Sequence, residues 1–196
     1  VSSALVGDIL FESSPRAFAH KSNLGFTGLG VKNGHVNGEI DGKGESITVT
    51  FAAPVILSEI VLGHLFAVGN YGDQVSEVAR IEVLGAADAF VAGDLGVVTA
   101  TTATWSGSDG AVTNLSPGLQ GSGGLWAIAD PFGTLAVEAI RFYPITVGSA
   151  KKAHNSDFSF VSLSGAAAPG TAVPEPGTAA LLGLGLGGLA VAGRRR

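Results

Sequence analysis

Residues 46–51 read SITVTF, and in an extended chain Ile47, Val49 and Phe51 share one face while Ser46, Thr48 and Thr50 share the other. A period of two is that of a strand with one buried side. The pattern returns along the chain. Residues 55–62 follow Pro54, and ARIEVLG at 79–85 sets Ile81 and Val83 inward against Arg80 and Glu82 outward. Further strands are expected at 97–105, 111–115, 125–129, 136–143 and 158–163. Clusters of Gly, Asn, Asp and Pro separate most of them: NGHVNGE, GNYGD, SGSDG, SPGLQGSGG and DPFG. Many short strands, turn signals between them and no amphipathic helical period predict an all-β fold. An antiparallel β-sandwich, most simply a jelly roll, is the first reading and a barrel the second. Trp105 and Trp126 fall on strands, where they are expected to anchor the core rather than to present a ligand platform.

Composition narrows the function classes. The chain of 196 residues has 30 glycines, 14% charged residues and a formal net charge of −5. Three of its 11 basic residues close the chain as Arg194, Arg195 and Arg196, so the body is more acidic than the whole. Scattered lysines and arginines argue against nucleic acid as a partner, because neutralising phosphate needs clustered positive charge. The absence of cysteine excludes disulfides, thiolate metal sites and cysteine nucleophiles. The absence of methionine, even at position 1, leads us to expect that a segment, typically a secretory leader, was removed upstream of Val1.

From position 166 the pattern changes. AAAPGTAVPEPG is small, proline-bearing and nearly uncharged, the composition of a linker with polyproline II character. Residues 178–192 are then continuously apolar or small, and an arginine cluster closes the chain. A helix there is a short membrane span, with the arginines held on the cytoplasmic side and the β-domain outside. The expected organisation is a β-sandwich over 1–165, a linker over 166–177 and a transmembrane-type helix with its arginines over 178–196.

The closing segment resembles the PEP-CTERM sorting signal of Gram-negative bacteria. Its parts are Val173, Pro174, Glu175 and Pro176, the apolar run, and the stop formed by Arg194, Arg195 and Arg196. The resemblance implies a substrate of an exosortase, a membrane cysteine protease-transpeptidase. It also implies tethering at the inner membrane before processing, and then release to the cell surface or beyond. Exopolysaccharide is a candidate partner, and self-association is another. More loosely, residues 28–51, GNYGDQVSEVARIEV and NSDF resemble the exported domains that precede such signals, which supports a jelly roll. The implied role is structural or adhesive, at the cell surface or in a biofilm matrix.

Enzymatic chemistry is less well supported, and no catalytic or cofactor-binding residues are assigned. No G-x-S-x-G nucleophile elbow occurs, and His20, His35, His64 and His154 form no i, i+4 pair. GLGLGG at 183–188 matches G-x-G-x-x-G but lies inside the apolar tail rather than between a strand and a helix. A carbohydrate-binding or carbohydrate-active β-sandwich is kept as the alternative, since paired carboxylates could serve it. The sharper constellation is oxygen-rich. Asn37, Glu39 and Asp41 alternate in NGHVNGEIDG, and Asp73, Glu77, Asn155 and Asp157 would join them if their loops converge. Calcium takes hard oxygen donors of this kind and is the one metal ion the sequence suggests. Against it stands the ordinary role of such residues as solvated turn formers.

Overall fold

The computed structural model describes residues 2–32, 36–41, 44–70, 74–85, 91–116, 124–145 and 156–170. Among them every regular element is a strand and every pairing is antiparallel. Two hairpins open the chain, β1 (Ser2–Val6) with β2 (Ile9–Ser14) and β3 (Phe18–Asn23) with β4 (Phe26–Val31). Then come β5 (Ser46–Leu65), β6 (Val78–Leu84), β7 (Val91–Val97), β8 (Ala103–Trp105) and β9 (Ala111–Asn114). β10 (Gly124–Ala129), β11 (Ala136–Pro144) and β12 (Ser159–Ala167) complete the set.

β5 organises all of it. The sequence predicts two strands divided at Pro54, whereas the structure has one strand of 20 residues running through that proline. Its first half pairs with β2, Ile9 to Phe51 through Ser14 to Ser46, and with β11. Its second half pairs with β12 and β10. Proline is tolerated because the ladder to β11 shifts register there, between Val137 and Ala139, so no ladder N–H is missed. Two other bonds hold the bend: Ala52 N donates to Asp8 O (3.0 Å) and Ala168 N to Pro54 O (2.9 Å).

β5 thus joins the strands paired to its first half and those paired to its second into one hydrogen-bonded sheet of twelve strands among the described residues. Ile47, Val49 and Phe51 from the first half meet Leu57, Ile60 and Leu62 from the second within one buried core. Each such side chain contributes about 1.5–3 kcal/mol by leaving water. Trp126 is buried, with its Nε1 donating to Leu65 O (3.0 Å). Trp105 donates to Pro131 O (3.1 Å) and meets Phe132 edge-on at 5.8 Å, so both tryptophans pack inward.

Several expectations change. None of β1 to β4 was predicted. The single strand expected at 97–105 is the end of β7, a turn, and β8. Val98 N and Thr99 N both donate to Thr102 O, and the Thr99 and Thr102 hydroxyls meet at 2.7 Å, which reverses the chain. β12 extends into the expected linker, with Ala166 and Ala167 paired to Ile56 and Val55. No helix among the described residues is long and apolar enough to cross a membrane, and the expected helix over 178–196 lies outside them.

The bend at 52–54 marks one end of the domain. There β12 finishes, and Gly170, the last described residue, lines a groove with Ala52, Ala53 and Pro54. The opposite end gathers the residues that enter and leave β5, together with the starts of β6 and β12.

Candidate functional site

At that far end the chain entering β5 and the chain entering β12 bridge each other. Ile40 N donates to Phe158 O (2.6 Å) and Phe158 N to Ile40 O (3.3 Å). Beyond the bridge, each chain's next backbone N–H is met by a carboxylate. Asp41 N donates to Glu45 Oε2 (3.2 Å), and Asp157 N to Glu77 Oε1 (3.4 Å). The other oxygen of Glu77 accepts from Phe66 N at 2.5 Å, just past the end of β5. Ser156 fastens the same junction, its hydroxyl accepting from Val78 N and donating to Val78 O, both at 3.0 Å. Asp41, Glu45, Glu77 and Asp157 are all buried here. A carboxylate that accepts from backbone N–H groups spares buried donors from going unpaired, and this is chemistry that burial demands.

The expected alternation of Asn37, Glu39 and Asp41 along an extended segment does not form. Residues 36–38 turn, with Glu39 N donating to Val36 O (3.4 Å). Asn37 is exposed, while Glu39 is buried and takes Lys21 Nζ on its Oε1 at 2.6 Å. Gly30 allows this close approach, since a side-chain carbon there would fall 2.3 Å from the backbone of Gly38. Of the seven residues singled out for calcium, Glu77 and Asp157 do meet through the backbone bond, and Asp41 stands beside the bridge that joins their chains. Asp73 and Asn155 lie outside the described residues. Among the described residues no group of three or more His, Asp or Glu side chains is placed to hold a metal ion.

Sequence reasoning missed a second polar cluster. His64 near the end of β5 is fully buried with a φ of 58°, in the left-handed region that a histidine rarely adopts. Its Nδ1 lies 2.6 Å from Ser159 Oγ, its Nε2 contacts Asn23 Oδ1, and Phe26 stacks at 4.6 Å between ring centroids. With an amide oxygen on Nε2, that nitrogen carries the proton and Nδ1 accepts from the serine hydroxyl. Burial, then the nearby charge of Lys21, lowers the His64 pKa to about 4, so the ring is neutral at physiological pH. Serine, histidine and asparagine in a row have the order of a hydrolase charge-handling chain, but Ser159 is fully buried. Its Oγ sits where a side-chain carbon on Gly28 would be, at 1.9 Å, so β4 covers the hydroxyl and closes it to substrate.

The outer face of the sheet carries ion pairs in register. Arg80 holds Asp94 through two bonds, at 2.7 and 2.9 Å, and Arg141 holds Glu82 at 2.5 Å while stacking over Tyr143. Cross-strand pairing sets Arg80 opposite both Asp94 and Tyr143.

Residues 172–196 match the PEP-CTERM protein-sorting motif. No curated protein and no solved structure matches the chain. The match spans Val173, Pro174, Glu175 and Pro176 and the arginines at 194–196, all outside the described residues. The chain therefore carries the sorting signal of an exported protein that an exosortase processes, with its C-terminal signal anchored in the membrane before cleavage.

Proposed function

We propose that the protein is a structural or adhesive component of the cell surface or extracellular matrix, displayed as a jelly-roll-like domain and associated with exopolysaccharide in a biofilm. The observation that carries this reading is the polarity of the domain. Gly170, separated by residues 171–177 from the apolar run of the signal, lies beside the bend of β5, at the end of the domain opposite the acidic junction. β3 and β8 end the sheet path among the described strands, and strands in such a position can take up a further strand from another copy or an extended partner. Co-sedimentation of the full chain with the producer's exopolysaccharide, alongside an assay for released reducing ends, separates the readings. Bound and uncleaved polymer supports the proposal, and catalytic release of sugar replaces it with the enzyme.

Calcium is proposed for the acidic end on the oxygen-rich pattern of the sequence, of which Glu77 and Asp157 meet there through a backbone bond. A ligand that binds only the folded state raises stability by about 2.7 kcal/mol at a hundredfold excess over its dissociation constant. Thermal melts in chelator and in millimolar calcium should differ for the parent and differ less for Asp41→Asn. Coincident melts for the parent leave these carboxylates as backbone acceptors alone.

A further inference from the structure

The groove at the bend of β5 measures about 1140 Å³, its walls formed by Ile9, Phe51, Pro54, Leu57 and Leu163, with Asp8 the one charged residue on it. Gly170, where the described chain stops, is part of the same wall. A short link, 171–177, leads from it to the uncharged stretch 178–192. Such a stretch left in water exposes apolar surface that drives aggregation. The link spans at most about 25 Å when fully extended, so the stretch begins within reach of the groove whatever path it takes. Tethering at that distance gives an effective concentration in the millimolar range, enough to favour a weak contact with no other partner.

We propose that this groove holds part of the chain's own segment 178–192 whenever that segment is out of the bilayer, so that groove and membrane compete for it. The proposal does not depend on an adhesive role for the domain.

The chain has no cysteine, so paired substitutions report the contact directly. Full-length protein carrying Ala53→Cys and Ala180→Cys is treated in dilute aqueous buffer with a short bismaleimide. Asn37→Cys with Ala180→Cys, at the far end of the domain, is the control. The first pair should cross-link within the chain on the order of tenfold more than the control. Ala52→Glu, at an exposed position on the groove, should cut that yield while leaving the thermal melt in place. Phosphatidylcholine vesicles should lower it as well. Equal yields at the two positions, or cross-links only between chains, would overturn the proposal. So would cross-links that form only with vesicles present, which would make the groove a lipid-facing surface.

Discussion

His64 on β5 and Ser159 at the start of β12, both fully buried, share a 2.6 Å hydrogen bond across 95 positions of sequence. With Asn23 Oδ1 on Nε2, the ring that burial keeps neutral accepts from the serine hydroxyl at Nδ1.

Acidification should therefore weaken the fold through His64. Its folded pKa of about 4 lies below the unfolded value of 6.5, so between them the unfolded chain binds more protons than the folded one. The stabilisation is complete above pH 6.5 and is lost as pH falls toward 4, a change on the order of 3 kcal/mol. Urea unfolding at pH 7.5, 5.5 and 4 should show a steeper loss for the parent than for His64→Asn, which keeps a residue tolerant of positive φ. Equal pH slopes for the two proteins would count against this linkage.

Gly28 is fixed by what lies under it. Gly28→Ala drives a methyl group into Ser159 Oγ, and overpacking at a buried site costs about 1–3 kcal/mol. Adding Ser159→Gly removes the obstructing side chain and should relieve the clash, although the His64 bond is lost. A chemical-denaturation double-mutant cycle should find the two changes coupled. Strict additivity would mean that β4 moves aside freely.

Glu77 joins three elements by accepting from Phe66 N and Asp157 N. Glu77→Ala leaves both donors without their acceptor, a loss of about 1–3 kcal/mol for each group that stays buried and unpaired. Glu77→Gln keeps one carbonyl oxygen and should fall between the alanine variant and the parent. Amide hydrogen exchange at Phe66 and Asp157 locates the effect, and unchanged protection there in the alanine variant would contradict it.

Replacing Pro174, Glu175 and Pro176 together with alanine should leave the melting curve of the β-domain unaltered while the unprocessed chain accumulates in cells that carry the exosortase. Processing at the parental rate would separate the motif from the cleavage.

The parts of the fold readable in sequence were those where one strand's own alternation decides burial. Ile47, Val49 and Phe51, or Ile81 and Val83, need only a core on one side. β1 and β3 gave no such signal because they lie at the sheet's margins with little buried, and the exposed Leu5 is on one of them. Pro54 read as a stop because its tolerance depends on a register shift in β11, a distant strand. Asp41 and Glu77 read as solvated turn formers or calcium ligands because nothing local says that they are buried. His64 gave no signal either, since its partners Asn23 and Ser159 stand far off on β3 and β12. The sorting signal was legible because its three parts are contiguous.

β12 has a mechanical meaning. It is the last strand before the tether, and it runs antiparallel to β5 from Ser159 opposite Gly63 to Ala167 opposite Val55. A pull between the tail and the acidic end is directed along β12, so its hydrogen bonds to β5 share the load together instead of opening one after another. The strand they grip pairs in turn with β2, β10 and β11, so tension arriving through the tail is passed on to those strands as well.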